Sequence, residues 1–314
     1  MPVELSVIIP IYNEEANINL LYERLQKVVA AITNDYEFIF VNDGSKDKSF
    51  LLIKYLCQQD PRIKYLNFSR NFGHQIAVFA GLEACTGKAA VIIDADLQDP
   101  PELIGELYTR LRSGYEVVYA KRRSRKGEGF LKRFTAKMFY RVLQRITNVE
   151  IPVDTGDFRI IDRKIVDLLK QMPEQHKYLR GQISWLGFNH TFVEYDRDAR
   201  HAGKTGYTYR KMIRFALDGI TSFSDFPLKF VTMAGFVVSG ISFLLMLYAI
   251  YSKFFSKTYQ TGWTSLMLTV LFIGGIQLIG IGIIGEYISR IHSDVKKRPL
   301  YIVSESNIAE EKKS

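Results

Sequence analysis

The sequence has little cysteine and no glycine-rich phosphate loop, and both absences narrow the possible functions. Its 314 residues include only Cys57 and Cys85, which have neither paired spacing nor a neighbouring histidine cluster, so we expect reduced cytosolic thiols. The five histidines are dispersed, which argues against a zinc site. Neither G-x-G-x-x-G nor G-x-x-x-x-G-K-[ST] is present, which leaves a Rossmann dehydrogenase and a P-loop NTPase poorly supported.

Charge is missing from two long stretches near the C-terminus. Residues 230–252 and 258–285 contain no Asp, Glu, Lys or Arg, whereas charged residues are scattered through the chain before position 226. A helix of the length of the shorter run extends about 34 Å, and the hydrocarbon core of a bilayer is about 30 Å thick. The sequence therefore predicts a water-soluble domain followed by a transmembrane domain of two helices over residues 228–289.

Lysine and arginine predict the orientation of these helices. The short connection between the two uncharged runs carries only Lys253 and Lys257, while the outer flanks are richer in basic residues. Because positive charge stays on the cytosolic side, we expect a multi-pass protein of the inner, cytoplasmic membrane with its N-terminal domain and both termini in the cytosol. The apolar run over residues 5–11 is too short for a signal peptide.

The net charge of +9 bears on the partners of the protein. With two expected spans, anionic headgroups or a lipid phosphate are better partners than a nucleic acid, and we expect no nucleic-acid partner.

Glycines in the second run permit close contact between helices, which suggests a homo-oligomer; they stand at positions 274, 275, 280, 282 and 285.

Short apolar runs alternate with helix-period segments over the first 120 residues. The runs cover residues 5–11, 38–41, 63–68, 89–93 and 116–120, and the amphipathic segments cover residues 15–32, 47–59, 74–84 and 101–113. This alternation predicts βαβ units and an α/β domain with a mostly parallel sheet. Ligands of such sheets bind beyond the carboxyl ends of the strands, so the polar residues that follow each run are the candidates for a binding site.

An acidic motif follows the fourth apolar run. The stretch AVIIDADLQDPPEL places Asp94, Asp96, Gln98 and Asp99 directly after it. Two carboxylates at this position suit Mg²⁺ or Mn²⁺, which complete their coordination with water and substrate phosphates. The alternative is a structural turn, since aspartate-rich turns commonly close strands.

Four motifs in order resemble the inverting family 2 glycosyltransferases of the GT-A fold. They are SVIIPIYNEE at the start, FVNDGS at 40–45, RNFG at 70–73 and DADLQDPPE at 94–102. The later stretches TGDFRIIDR and RHAGKTGYTYRKMIRFALDGITSFS, followed by the two uncharged runs, resemble the polyprenyl-phosphate glycosyltransferases of that family. The chain looks closest to bactoprenol glucosyltransferases and is similar to dolichyl-phosphate mannose synthases, which implies transfer of one hexose, glucose from UDP-glucose, to undecaprenyl phosphate with inversion.

The resemblance also implies roles for individual residues. The nucleotide-sugar donor would contact Pro10, Tyr12, Glu14, Asp43, Asp94, Arg200 and Lys204, and the cation would be held by Asp94, Asp96 and Gln98. Asp157 is implied as the general base. A lipid phosphate monoester has a second pKa of about 6 and is already largely deprotonated in the cytosol, so Asp157 has the alternative roles of orienting the acceptor or Arg159, or of a structural cap.

The basic stretch after residue 120 is the candidate contact for the acceptor phosphate. Arg122, Arg125, Lys132 and Arg133 are the candidate ligands of that phosphate. Residues 130–146 combine an apolar face with a basic stripe, which indicates an interfacial helix, although packing on the sheet is the alternative. We expect a glycosyltransferase domain over residues 1–203, a juxtamembrane amphipathic helix over 204–227, the two spans, and a cytosolic tail over 290–314.

Two alternatives to this function stay open. One is transfer of mannose or another sugar to a polyprenyl or dolichyl phosphate. The other is a non-catalytic membrane scaffold that binds a nucleotide sugar, against which the retained acidic residues argue.

Overall fold

The computed structural model describes residues 3–123, 152, 155–196, 226–251 and 262–308. The strands are β1 Leu5–Ile11, β2 Tyr36–Asn42, β3 Ile63–Phe68, β4 Ala89–Ile92, β5 Val117–Arg122, β6 Thr155–Asp162, β7 His190–Tyr195 and β8 Val303–Ser306. The helices are α1 Ile18–Ala30, α2 Ser49–Gln59, α3 His74–Ala84, α4 Ile104–Arg112, α5 Arg163–Gln171, α6 Leu179–Trp185, α7 Phe226–Tyr251 and α8 Trp263–Val295, with a 3₁₀ turn at Pro101–Leu103.

The strands form one sheet in the order β7-β5-β6-β4-β1-β2-β3-β8. Strands β1, β2, β3 and β4 run parallel, as do β5 and β7. β6 is antiparallel to both β4 and β5, so β5 and β7 point the same way as β1. The α/β class and the mostly parallel sheet predicted from the sequence are confirmed, and the carboxyl ends of six strands share one edge, called here the carboxyl edge.

Successive side chains of a strand point to opposite faces of the sheet, and an apolar core lies on each face. In β1, Val7 and Ile9 pack with the apolar faces of α1, α2 and α4, whereas Ile8 packs on the other side with α3 and α5. Every residue of β1 and β2 is buried. Strands covered by helices on both faces are expected to be almost wholly apolar, which is why these runs are visible in the sequence.

The chain beyond α8 returns to the sheet. β8 pairs antiparallel with β3, and Tyr301 stacks on Phe68 with ring centroids 4.9 Å apart while its hydroxyl donates to Glu83 at 2.8 Å. The side chain of Asn307 exchanges hydrogen bonds with the backbone of β3. The segment predicted as a tail therefore contributes an edge strand to the same sheet that carries β1.

Two C-terminal helices coincide with the uncharged runs. Within the described residues, one helix is long and apolar enough to cross a membrane, over Phe272–Val295, and a shorter apolar helical stretch covers Phe226–Ile241. Two helices are thus present where the sequence predicted two transmembrane helices, but only one of these described helices is long and apolar enough for a span, so the predicted pair is not confirmed. The predicted interfacial helix at 130–146 and nearly all of the predicted juxtamembrane helix at 204–227 lie outside the described residues.

Candidate active site at the carboxyl edge of the sheet

The acidic motif forms a tight loop after β4. Asp96 is 7% exposed, and its Oδ1 accepts a hydrogen bond from the backbone N–H of Gln98 at 3.2 Å. Leu97, between them, has a φ of 58°, in the left-handed region that costs a branched L-residue free energy. Such a conformation persists only where the surroundings impose it, which indicates that the loop has a fixed shape.

Asp94 points towards the same edge with a buried oxygen. Within the described part of the chain, its Oδ1 is buried without a hydrogen-bond partner and lies 3.5 Å from Nε2 of His74. Burial raises the pKa of Asp94 to about 6; the nearby carboxylate of Asp157 adds to the rise, and His74 opposes it. A carboxylate that is crowded by like charges and has an unsatisfied oxygen is suited to a cation.

Asp157 lies at the start of β6 among nitrogen donors from three elements. Arg159 Nη2 donates to its Oδ1 at 2.6 Å, Gln75 Nε2 donates to its Oδ2 at 3.2 Å, and Arg180 Nη2 lies 3.5 Å from Oδ1. Burial pushes the pKa of Asp157 up, but the hydrogen bond with His74 and the charges of the two arginines outweigh it and hold the pKa well below its usual range. Asp157 is therefore ionised throughout the neutral range.

His74 joins the two acidic residues, and sequence reasoning missed it. Its Nε2 lies 3.1 Å from Asp157 Oδ2 as well as 3.5 Å from Asp94 Oδ1. Burial lowers the pKa of His74, but the charges of Asp94 and Asp157 dominate and raise it to about 9. Its position in the sequence could have identified it. His74 directly follows RNFG and begins a segment predicted to be helical, and the start of a helix that follows a parallel strand lies close to the carboxyl edge.

The predicted donor-binding residues near the N-terminus lie along the same edge. Pro10 is buried within β1, and Tyr12, which directly follows this strand, is 45% exposed. Glu14 accepts a hydrogen bond from Asn17 Nδ2 at 2.6 Å, so its carboxylate has a partner within the protein. The ring of Tyr12 is exposed and is available to a ligand.

Asp43 is 3% exposed and holds the RNFG motif in place. Its two oxygens accept hydrogen bonds from the backbone N–H groups of Phe72 at 2.6 Å and Gly73 at 3.0 Å. Each carboxylate oxygen has two acceptor positions, so these bonds leave capacity for a donor base or ribose. Gly44 beside it has a φ of 65°, and a Cβ there would lie 2.5 Å from the carbonyl carbon of Arg70, which explains the glycine in NDGS.

Arg122 is the predicted acceptor-phosphate residue that the structure describes. It ends β5 at the carboxyl edge, and its Nη2 lies 3.6 Å from Oδ1 of Asp99, a fully buried carboxylate. The other predicted contacts of the phosphates, Arg125, Lys132, Arg133, Arg200 and Lys204, lie outside the described residues. Structure thus brings together Tyr12, Asp43, Asp94, Asp96, Asp157 and Arg122 along one edge.

No three His, Cys, Asp or Glu side chains in the described ranges converge closely enough to hold a metal ion by themselves. Among the described residues, this finding argues against a metal site made of protein ligands alone. It is compatible with a Mg²⁺ site, because Mg²⁺ is usually bound by one or two carboxylates together with substrate phosphates and water. The residues at this edge suit a cation whose remaining coordination positions are filled by the oxygens of an anionic ligand.

Comparison with known proteins identifies a family model and relatives that match this chain. The model of the family described as "Glycosyl transferase family 2" matches residues 6–169. The chain is 50% identical to the uncharacterized glycosyltransferase YkcC of Bacillus subtilis (strain 168), over 99% of this chain and 96% of that protein. It is 41% identical to the prophage bactoprenol glucosyl transferase homolog of Escherichia coli (strain K12), over 96% of this chain and 98% of that one.

Solved structures also match this chain, at lower sequence identity. The glucosyl-3-phosphoglycerate synthase of Mycobacterium tuberculosis, in complex with phosphoglyceric acid, is 17% identical. The match covers 70% of this chain and 78% of that one, with a TM-score of 0.48.

Proposed function

The chain belongs to glycosyl transferase family 2, and on that premise we propose that it transfers one hexose, glucose from UDP-glucose, to undecaprenyl phosphate at the cytosolic face of the membrane. The observation that carries the proposal is the meeting of Asp94, Asp96 and Asp157 at the carboxyl edge of the sheet. The 41% identical relative named as a bactoprenol glucosyl transferase homolog supports a prenyl-phosphate acceptor.

The acidic loop fits a divalent cation, Mg²⁺ or Mn²⁺. Asp94 offers a buried oxygen that accepts no hydrogen bond from the described residues, and its raised pKa reflects burial and crowding by other carboxylates. Asp94, Asp96 and Gln98 would hold the ion. When bound, the ion supplies positive charge that offsets the negative charge of the departing diphosphate. The fixed loop around Leu97 keeps its ligands in place before the substrate arrives.

The acceptor phosphate is its own nucleophile in this proposal. With a second pKa of about 6, a phosphate monoester is mostly a dianion at neutral pH and has no proton to lose on attack. The phosphate oxygen bonds to the anomeric carbon while the bond to the donor diphosphate breaks, so the configuration inverts and a β-linked product follows from an α-linked donor.

Asp157 acts in this scheme as a fixed anion. A carboxylate whose pKa is far below 7 is a weak base, since proton transfer is most effective when the pKa of the base is near the operating pH. Its partners are the side chains of His74, Gln75, Arg159 and Arg180. We infer that Asp157 aligns these cations and donors around the reacting phosphate. This is the orienting role that the sequence analysis gave as an alternative to that of a general base.

The position of β8 supports two membrane spans. β8 and β3 belong to one sheet, so the chain before α7 and the chain after α8 lie on the same side of any membrane. Such a chain crosses an even number of times. If α8 spans the bilayer, a second crossing is required, and among the described residues the apolar α7 is the helix that could provide it. Anchoring by two helices with a cytosolic catalytic domain satisfies this condition.

A transfer assay tests the proposed function. Purified protein in detergent is incubated with undecaprenyl phosphate and a panel of radiolabelled nucleotide sugars, and the lipid product is separated. We expect glucose to move from UDP-glucose in the presence of Mg²⁺ or Mn²⁺ and the product to be β-linked. Preferred transfer of mannose would mean that mannose, and not glucose, is the transferred sugar. Binding of UDP-glucose with no transfer of any sugar of the panel to undecaprenyl phosphate would favour the scaffold alternative.

A further inference from the structure

A buried cluster of Tyr195, Asp99 and Arg122 lies at the carboxyl edge. Arg122 and Tyr195 are the last residues of β5 and β7 and stand opposite each other in the parallel register. The hydroxyl of Tyr195 donates to Oδ1 of Asp99, and Nε of Arg122 donates to the same hydroxyl at 3.2 Å. One network therefore joins the ends of two strands to the loop of the acidic motif.

Burial makes this network rigid. Asp99 is fully buried and Tyr195 is 5% exposed, whereas the Arg122 side chain keeps 21% of its surface exposed. A buried carboxylate is costly unless it is paired and hydrogen-bonded, so Asp99 holds its two partners strongly. The planar guanidinium of Arg122 is fixed through Nε and Nη2, and its exposed part faces outward as a preorganised cation.

The guanidinium lies directly over Gly156. A Cβ at this position would lie 2.8 Å from Nη2 of Arg122 and 3.7 Å from Oδ2 of Asp99, so any side chain at 156 would displace the arginine. Gly156 precedes Asp157 in the chain, and Asp99 directly follows Gln98. The cluster thus holds Arg122 between the acidic loop and the residue that aligns the cations of the site.

We propose that Asp99 and Tyr195 are positioning residues that lock Arg122 over Gly156 as a fixed ligand for a substrate phosphate. The inference rests on the proposed function, since it takes the substrates to be a lipid phosphate and a nucleotide diphosphate, either of which offers the oxygen pair that an arginine binds. In this proposal, Asp99 is one of the residues that position Arg122 and is not a ligand of the cation. A preorganised side chain loses little freedom on binding, which favours affinity.

The protein contains a matched control for this arrangement. At the opposite edge of the sheet, the hydroxyl of Tyr22 donates to Asp60 at 2.9 Å, and Nε of Arg62 donates to the same carboxylate at 2.8 Å. Tyr22 and Asp60 are also buried. Removing either hydroxyl deletes the same kind of buried hydrogen bond, so a purely structural effect should appear equally in both variants.

Steady-state kinetics of Tyr195→Phe and Tyr22→Phe test the proposal. We expect Tyr195→Phe to raise the KM of one phosphate substrate about tenfold, because a hydrogen bond to a charged group is lost, while Tyr22→Phe changes either KM less than about twofold. A rise in the KM for undecaprenyl phosphate assigns Arg122 to the acceptor; a rise in that for UDP-glucose assigns it to the diphosphate. Equal KM values in the two variants overturn the proposal.

A binding measurement separates this proposal from the transfer reaction. UDP and inorganic phosphate are each added to wild type, Tyr195→Phe, Tyr22→Phe and Arg122→Lys, and the shift in unfolding temperature is recorded. We expect at least one of the two probes to stabilise wild type and Tyr22→Phe, and to stabilise Tyr195→Phe and Arg122→Lys less. This result supports the positioning role even if no hexose is transferred; identical shifts in all four proteins refute it.

Discussion

At the scale of single residues, the site is defined by carboxylates in three different electrostatic states. Asp94 has a pKa raised to about 6 by burial and neighbouring carboxylates, Asp157 is held well below its usual pKa, and Asp99 is fully buried with a tyrosine and an arginine. Different environments suit different tasks. We assign Asp94 to the cation, Asp157 to the alignment of donors, and Asp99 to the placement of Arg122.

Replacing Asp96 by alanine should abolish hexose transfer while the protein stays folded. The change removes one proposed cation ligand and one hydrogen bond within the loop, but it keeps Ala95 and Leu97, which pack in the apolar core, so the loss in rate should be far greater than the loss in stability. Transfer assays with Mn²⁺ and circular dichroism measure the two effects. The neighbouring surface variant Glu106→Ala, whose carboxylate pairs with Arg110 on α4, serves as a control with normal turnover. Normal turnover in Asp96→Ala would remove the cation ligand from the scheme.

The charge of His74 should make stability depend on pH when a chelator is present. Its folded-state pKa of about 9 lies above the usual 6.5, so its contribution is fully present below about pH 6.5 and is lost as the pH rises through 9. The difference in unfolding temperature between wild type and His74→Gln should therefore shrink from about pH 6 to about pH 9.5. A difference that stays constant or grows over this range would contradict the raised pKa of His74.

At the scale of secondary-structure elements, α3 is the helix that connects the site to the core. Its first residue, His74, contacts Asp157, and further along the helix Gly81 lies against β1. A Cβ at Gly81 would lie 2.4 Å from Cγ2 of Ile8, a buried and β-branched side chain with little freedom to move. The close approach of α3 to the sheet therefore requires glycine at this position.

Alanine at position 81 should lower stability by about 1–3 kcal/mol, as expected for an overpacked core. The matched change Gly105→Ala in α4 meets no atom within 4 Å and should leave stability unchanged or raise it by up to about 1 kcal/mol, because alanine favours the helix. Denaturant titration of both variants measures the difference. Equal free energies of unfolding would mean that α3 moves away from Ile8 without cost.

At the scale of the whole molecule, β8 links the C-terminal end of α8 to the sheet that carries the site. Lys54 pairs with Glu305 at 2.7 Å, and Gln175 donates its backbone N–H to Asp294 near the end of α8 at 2.9 Å. These contacts fix the end of α8 against the domain that carries the site. An acceptor that enters from the bilayer would therefore meet a catalytic edge held at a constant place relative to this helix.

Cysteine labelling in intact cells should report two crossings. In a variant without Cys57 and Cys85, Ser256→Cys between the two uncharged runs should react with a membrane-impermeant maleimide from outside. Ser314→Cys at the end of the chain should react only after permeabilisation. Labelling of Ser256→Cys only after permeabilisation would place both ends of α7 on the cytosolic side and exclude the two-span arrangement.

The sequence predicted the elements whose burial is local and strong. β1, β3 and α3 have the predicted limits, because each is a distinct apolar segment of the sequence. α3 is buried along the continuous run 77–82 and not on one face alone. Residue periodicity gave no comparable indication of β6, β7 and β8. β7 and β8 lie at the two ends of the sheet and carry several polar side chains, so burial leaves a weaker mark on their sequence.

Residue types and their order alone determined the α/β class, the acidic motif after a buried strand and the uncharged helical runs. These features depend on contacts within a few residues or on the apolar character of one segment. Only the tertiary structure decided that His74 meets Asp157, 83 positions away, that Asp99 holds Arg122, and that β8 returns to β3. Strand order and register set which distant charges become neighbours, and neither is encoded in the pattern of a single segment.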